Sequence, residues 1–481
     1  MQIARVAFFS GTLVLGLGCS KDGVVLGTGG EGGTTQTTST GGGGGTGETT
    51  TSATGGAGGS GGDTGTTTDT GGAGGTGGTM TTSPTGSGGG TTTTPVVDAD
   101  QDGWSVADGD CCDTDSAPCF AENPELVNPG ALEIPANGVD DDCDPATLDT
   151  DPLATCSTAA QAATDLLMGA PTSAAKVVKA MDLCQFTTED PPLSQKTWGV
   201  ISAQYVLADG SAASEPKNIQ VGVLPDFGPN VKPQFGETLA AISSGTARRE
   251  GDPGFVHPKS GGPGQTGSFD AETACPAAPS YVAASGGSLP SECSECMGPD
   301  CTTAYDSVSL RLRIRPPTNA KGFSYRLDFF SSEYPQYVCQ DYNDFFLTLI
   351  GGNLSPQIPL HGNVAADSTG APISVNNLLF DVCMPMAGYP CQGGTLELVG
   401  NGWGGWGGSI LDGGATGWLQ NDVPLALKTG PSGEDDDLVP TAEPLELQFI
   451  IWDGGDHNVD SIVLLDRFRW SIQPLVLSIH D

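Results

Sequence analysis

The stretch VSLRLRIR, residues 308–315, sets Val308, Leu310, Leu312 and Ile314 in strict alternation with Ser309, Arg311, Arg313 and Arg315. Successive side chains of a strand point to opposite faces, so a period of two builds one face for a core and one for solvent. FSYRLDFF (323–330), DFFLTLI (344–350), LELQFIIW (445–452) and SIVLLDRFRW (461–470) carry the same β-branched, aromatic and apolar character. Gly- and Pro-rich loops separate them instead of helical segments, which argues against a parallel βαβ build and predicts an antiparallel β-sandwich of jelly-roll-like type. Ahead of the strands, STAAQAATDLLMGAP and SAAKVVKAMDLC space Ala, Leu, Val and Met as helices do, predicting one or two short helices. Residues 153–481 therefore read as one mainly β domain.

The first part of the chain cannot join that core. Residues 27–95 are almost wholly Gly, Thr and Ser, with too few apolar side chains (Met80 and scattered alanines) to offset the entropy of ordering, which predicts a disordered linker over 20–97. Such a coil has an r.m.s. reach of roughly 45 Å. Before it, Arg5 precedes a short apolar run that ends at Gly18 and Cys19, too short to span a bilayer but suited to an export signal over 1–19. The run resembles a bacterial lipoprotein signal, which implies lipidation of Cys19; Gly16 stands where Leu is usual, and Gly16 with Gly18 also suits ordinary signal cleavage. Ser20 after the cysteine implies an outer-membrane or cell-surface destination. Export places the remaining cysteines in an oxidising compartment, where disulfides are the default. Cys383 and Cys391 bracket a short loop and are expected to pair. CSECMGPDC (293–301) reads as disulfide cysteines too, since no second C-x-x-C or His pair follows to complete a zinc site.

Residues 98–149 are Asp- and Cys-rich and too few for a good hydrophobic core, so metal or disulfide staples must hold them. DADQDGWSVADGD places Asp98, Asp100 and Asp102 at alternate positions before Gly103, the opening of a calcium loop, with Asp108 and Asp110 available to close the shell. The competing reading is an acidic turn. The segment as a whole resembles the MopE-type metal-binding motif of bacterial surface proteins. The matching residues are Asp100, Asp102, Gly103, Asp110, Cys111, Asp113, Pro129, Gly130, Glu133, Asn137, Gly138, Asp140, Asp141, Asp142, Cys143 and Asp144. That resemblance implies a Cys111–Cys143 bridge, with Cys112 and Cys119 as a further pair. It also raises copper, but the segment holds no His or Met, and its hard oxygen donors suit Ca2+.

In the large domain, SSEYPQYVCQDYNDFF (331–346) and the later WDGGDHNVDS (452–461) resemble the choice-of-anchor L family of bacterial extracellular domains. The match rests on Ser332, Glu333, Tyr334, Pro335, Asn343, Asp344, Phe346, Asp453, Asp456, Asp460 and Ser461, with FGPNVKPQFGETLAAISSGTA (227–247) as an upstream segment. Ser332 stands where that family usually has a glutamate. What the resemblance implies is an extracellular β-rich domain with no established activity. Read from chemistry alone, four oxygen side chains in WDGGDHNVD would repel unless neutralised, so Glu333, Asn343, Asp344, Asp453, Asp456 and Asp460 are expected as calcium ligands if their loops meet. The other readings are polar turns in a hairpin loop and strand-end anchors. NGWGGWGGS (401–409) offers Trp403 and Trp406 as a platform for stacking on a flat ligand, or as a lid folded back on the sandwich.

Several functions are excluded or weakened. A formal charge of −39 argues against nucleic acid. The globular part has no G-x-S-x-G, HExxH or P-loop, and its histidines are His257, His361, His457 and His480. The reading is a calcium-binding surface lipoprotein, non-enzymatic, that adheres to or binds a cell-surface or extracellular ligand such as a glycan. The alternatives are a secreted carbohydrate-active hydrolase, with Glu333 as the acid and Asp344 or Asp453 opposite, and a structural envelope protein without a ligand.

Overall fold

A computed structural model describes residues 97–481 except 115–118, 120, 122, 148–155, 157–172, 214–218, 259–303, 339, 341, 353, 369, 377–378, 386–390, 405–412, 430–437, 441–442 and 455–457. Cys19, the expected signal, the linker up to residue 96, Asp456 and Trp406 lie outside the described residues, as do the first expected helical segment and the cysteines of 293–301. Residues Thr94–Asp481 form one compact unit.

The unit is mainly β, built from two antiparallel sheets. Its strands are β1 (Gly199–Val206), β2 (Val221–Leu224), β3 (Leu239–Ser243), β4 (Tyr305–Arg315), β5 (Gly322–Ser331), β6 (Phe345–Gly351), β7 (Ile373–Ser374), β8 (Gly414–Ala415), β9 (Leu419–Pro424), β10 (Leu427–Thr429), β11 (Leu438–Pro440), β12 (Leu445–Asp453), β13 (Ser461–Ser471) and β14 (Ser478–His480). One sheet runs β1-β4-β12-β6-β7 and the other β14-β9-β5-β13-β3-β2, with β8 pairing β5; β10 and β11 pair separately. Among the described residues one α-helix forms, α1 (Ala174–Ala180), which buries Val177 and Val178 in the core between the sheets.

The alternation read from sequence fixes which side chains fill that core. Val308, Leu310, Leu312 and Ile314 of β4 meet Leu447, Phe449 and Ile451 of β12 in it, together with Phe323, Tyr325, Leu327 and Phe329 of β5 and Val463 and Leu465 of β13. The intervening positions are not all solvated. Ile450 and Trp452 of β12 join Phe345 and Leu347 of β6 under an outer layer of loops, while Ile462 and Leu464 of β13 pack with Phe330, Phe227 and Trp403 on the other outer face. Central strands buried on both sides explain the near-continuous apolar runs of β6 and β13. Each such Leu or Phe contributes about 1.5–3 kcal/mol by burial.

The strand connections differ from expectation at one important place. WDGGDHNVD was read as a hairpin loop, yet β12 pairs with β4 and β6 while β13 pairs with β3 and β5. The segment is therefore a crossing from one sheet to the other. SSEYPQYVCQDYND crosses in the opposite direction, from β5 to β6.

At the far end of β4, the acidic segment docks on the sandwich through residues that follow Arg315. The Asn319 carboxamide exchanges two bonds with the Leu132 backbone, accepting from its N–H at 2.9 Å and donating to its carbonyl at 2.8 Å. Thr318 donates its backbone N–H to Gly130 O at 3.0 Å, and Trp104 Nε1 donates to Leu193 O at 3.2 Å. A segment too small for its own core has borrowed a wall of the larger one.

A pH-sensitive acid pair also braces the fold. Asp466 on β13 is fully buried and accepts from Gln234 N at 2.5 Å and Phe235 N at 3.3 Å. Burial first, then the nearby Asp182 carboxylate, pushes it up to about 7. A folded pKa above the unfolded value means the fold prefers the protonated form, so this stability is full below about pH 4 and is lost as pH rises through about 7. Asp466→Asn, which mimics the protonated state, should gain about 1–2 kcal/mol relative to wild type between pH 5 and pH 7.5. Denaturant melts at the two pH values check this, and a parallel pH dependence in both proteins would refute it.

Candidate metal centres and the buried acidic end

The first site grows out of the tight turn that Gly103 permits, with φ 101°, just after Gln101 at φ 66°. Asp98 accepts from Gln101 N at 2.7 Å and Gly103 N at 3.2 Å, and Asp102 accepts from Trp104 N at 2.7 Å. Asp110 accepts from Cys112 N at 2.8 Å. Each of Asp100, Asp102 and Asp110 commits Oδ1 to a backbone N–H two residues on and leaves Oδ2 buried with no hydrogen-bond partner. The three residues offer ligand atoms within 4.8 Å of one another, and Asp98, Asp100 and Asp113 form a second such group. Asp110 is 4% exposed, so its free oxygen cannot turn to bulk water.

Burial is the largest cause pushing Asp102 up to about 8 and Asp100 up to about 6, and it raises Asp110 as well. Mutual repulsion among these carboxylates adds to it. Buried like charges at this spacing are tolerated when a cation or protons neutralise them. Glu133, Asp140 and Asp142 form a third group, in which Glu133 Oε2 accepts from Asp141 N at 2.8 Å and Oε1 is buried without a partner. These acidic clusters can hold a metal ion.

Two expectations in this segment change. Asp108 belongs to none of the three groups: it lies in a short 3-10 turn and accepts from Ser105 Oγ at 2.6 Å, which closes that turn instead of an ion shell. Asp113, matched only through the family resemblance, takes a place beside Asp98 and Asp100 and accepts from Ala99 N at 2.6 Å. The structure pairs Cys111 with Cys143 and Cys112 with Cys119, which staples the segment around the first two groups. Cys383 pairs with Cys391, and Cys156, for which no partner was read from sequence, pairs with Cys184.

The second site lies at the other end of the sandwich, where the two crossings meet. Asn343 N donates to Gly454 O at 3.2 Å, Gly454 N donates to Asp344 Oδ1 at 3.3 Å, and Ser332 N donates to Asp460 O at 3.3 Å. The loops expected to converge do so. Ser461 Oγ donates to Asp344 Oδ2 at 2.6 Å, and Asp344 N donates to Glu333 Oε2 at 3.3 Å. Asn343 Oδ1 accepts from Asn376 N at 3.2 Å. A chain that leaves one sheet for the other strands its backbone N–H groups, and Glu333, Asn343 and Asp344 capture them. These three are thus hydrogen-bonded strand-end anchors, the role weighed against metal ligation.

Asp453 and Asp460 behave differently. They are 2% and 1% exposed, and their four carboxylate oxygens are buried without a well-formed hydrogen bond, the Ser244 side chain being the neighbouring donor to Asp453. Burial raises both well above the usual carboxylate range, and Asp344 and Asp306 add to the repulsion. Asp306, at the start of β4, was not picked out from sequence; nothing in YDSV marks it, since only β4 pairing beside β12 brings it here. Gly245 was quoted only as part of a motif, but a Cβ there would collide with the Asp460 carboxylate, so the glycine admits that close approach. Among the described residues this end does not bring three carboxylates within 4.8 Å of one another, unlike the acidic segment.

Trp403 is a correction. It is 1% exposed, donates Nε1 to Arg248 O at 3.1 Å and packs against Phe227 with ring centroids 6.2 Å apart. The glycine-rich loop folds it inward because an outer face of β3 and β13 needs covering. It is a lid on the sandwich and has no face free for a ligand.

Four further facts bear on setting. No helix among the described residues is long and apolar enough to cross a membrane. The disulfides are the chemistry of an oxidising compartment. Glu333, Asp344 and Asp453 are each at most 2% exposed. Compared with family models, curated proteins and solved structures, the chain matches none.

Proposed function

We propose that this chain is a calcium-binding, non-enzymatic surface protein. Lipid on Cys19 anchors it to the outer membrane or cell surface, the Gly/Thr/Ser linker carries the sandwich outward, and the sandwich binds an extracellular ligand. The observation that carries the calcium reading is the trio of unpartnered Oδ2 atoms of Asp100, Asp102 and Asp110. An all-oxygen set of hard donors suits Ca2+, whose flexible shell accepts six to eight oxygens, better than Mg2+ or a soft metal. The resemblance to choice-of-anchor L domains and to MopE-type motifs supports the same setting.

The hydrolase reading needs a carboxylate pair that a polysaccharide can reach, and the burial of Glu333, Asp344 and Asp453 counts against it. Calorimetric titration of Ca2+ into the full-length chain tests the proposal. The expected result is saturable binding at one or more sites with much weaker Mg2+ binding; absence of Ca2+ heat and of any Ca2+-dependent melting shift would refute it. Metabolic labelling with palmitate tests the anchor separately: label should enter the wild type and be abolished by Cys19→Ala.

A further inference from the structure

In a chain with 57 acidic and 18 basic residues, three arginines gather on one outer patch of the sandwich. Arg326 on β5 and Arg467 and Arg469 on β13 line a cavity of about 310 Å³ with Gln420 and Asp422 of β9 and with Trp470. The register explains the meeting. Arg326 lies opposite Gln420 on one side and Asp466 on the other, and a bulge between Asp466 and Arg469 turns Arg467 into the left-handed region at φ 52°. Two extra basic side chains thereby reach the face that Arg326 already occupies.

The donors on this patch outnumber its acceptors. Arg326 Nε, Arg469 Nε and Nη2, and Trp470 Nε1 are all buried without a hydrogen-bond partner. Leaving buried donors without acceptors is costly, most of all for charged groups. Arg469 is only partly satisfied: Nη1 donates to Phe468 O at 2.7 Å, the guanidinium lies 4.0 Å from the Phe235 ring centroid, and Asp182 and Asp466 act on its charge. Asp422 is already shared with Gln420 Nε2 at 2.9 Å and His480 Nε2 at 3.2 Å, while Asp182 stands 3.7 Å from Arg469 Nη1, a different nitrogen from the unpartnered two. Arg467 is exposed and faces the cavity from its rim.

Arg469 and Trp470 also line a second, larger cavity of about 460 Å³, whose other walls include Trp198 and Phe468 of the sandwich, Ile134 and Pro135 of the acidic segment, and the carboxylates Asp182, Glu133 and Asp142. Of the two adjoining cavities, the first therefore offers charged donors, and the second offers aromatic and apolar faces beside carboxylates that can accept from sugar hydroxyls. We propose that this pair of cavities binds a sugar bearing an oxyanion, carboxylate or sulfate, with the anion at Arg326, Arg467 and Arg469 and the ring against the Trp470 side. Guanidinium forks match planar and tetrahedral oxyanions, and aromatic faces accept the apolar face of a sugar ring. The inference goes beyond the calcium reading, and its anion subsite stands without it, because all three arginines belong to the sandwich; the ring side borders Glu133 and Asp142 of the third acidic group.

The test is titration of the full-length chain with galacturonate, galactose 6-sulfate, neutral galactose and inorganic sulfate, read by ligand-observed NMR and calorimetry, with calcium and with chelator. Binding of at least one acidic sugar, at least tenfold tighter than galactose and weakened by salt, is expected; the arm that wins identifies carboxylate or sulfate. Arg326→Gln and Arg467→Gln should each weaken it about tenfold or more. Asp422→Asn, which removes the negative charge from the cavity wall, should tighten it severalfold, a gain that a misfolded variant cannot imitate. Equal binding of galactose, no binding of either acidic sugar, or indifference to the arginine variants would overturn the proposal. Inorganic sulfate as tight as the sugars would overturn its sugar part. Acidic-sugar binding that survives the chelator while Ca2+ fails to bind would sink the calcium reading alone.

Discussion

Withdrawing calcium from the folded chain should lower its melting temperature, and Asp110→Ala in saturating calcium should reproduce most of that loss. The site contributes stability by binding the native state only, which is worth about 2.7 kcal/mol at a free calcium concentration one hundred times Kd and about 4.1 at one thousand times. Asp110 is the most informative ligand because it is 4% exposed and its Oδ2 is unpartnered. Asp98, Asp100 and Asp102 lie within five consecutive residues, but Asp110 arrives from beyond the 3-10 turn Val106–Asp108. Losing it opens the shell. In chelator, the sign should reverse. Asp110→Asn then removes a charge that burial and its neighbours already disfavour, so the variant should be as stable as wild type or more so. Calorimetric melts of both proteins, with calcium and with chelator, provide the check. A wild-type melt indifferent to chelator would refute calcium as a structural ion here.

The opposite end of the sandwich should answer two substitutions with opposite signs. Asp344→Ala should cost about 3–5 kcal/mol, because Gly454 N and Ser461 Oγ, both buried, lose their acceptors together and the two sheet crossings come apart. Asp453→Asn should not do this. Asp453 has only the Ser244 side chain as a neighbouring donor and is crowded by Asp344, Asp460 and Asp306, so in chelator the amide should be neutral or stabilising by about 1–2 kcal/mol. The pair also decides whether this end holds an ion. If calcium raises the stability of the wild type by clearly more than that of Asp453→Asn, with the Asp100, Asp102 and Asp110 group intact in both, Asp453 is a ligand. If both respond equally, the four acids form a protonated knot that closes the sandwich. Equal destabilisation by Asp344→Ala and Asp453→Asn would contradict the division between anchor and orphan acid.

How much of this was legible depended on the range of the interaction. The five long strands were visible from local properties, a two-residue period in VSLRLRIR, which became β4 with its predicted inward set intact, and long β-branched and aromatic runs in β6 and β13. Shorter strands such as β2 and β3 carry VGVL and LAAIS, too brief and too uniformly apolar for a period to show, since both faces are buried. The acidic loop 98–103 was legible for the same local reason, each Asp side chain capping a backbone N–H within a few residues. Asp108 misled because spacing alone cannot tell a residue that closes an ion shell from one that closes a turn. Trp403 stayed open between platform and lid because the sequence does not show which face of the sandwich needs covering.

By itself, then, the sequence determined an antiparallel mainly β fold, an acidic segment that needs a staple, and the two stretches whose acids matter. These follow from alternation, composition and side chains acting on their nearest backbone. Tertiary structure alone decided that WDGGDHNVD crosses between sheets, that Asp306 joins Asp453 and Asp460, and that Gly245 makes room for Asp460. It also decided that Arg326, Arg467 and Arg469 share one cavity. Each of those depends on strand order, and the last also on one bulge in β13. Pairing between residues more than a hundred positions apart leaves no periodic trace in the chain, because only the folded register brings those partners into reach.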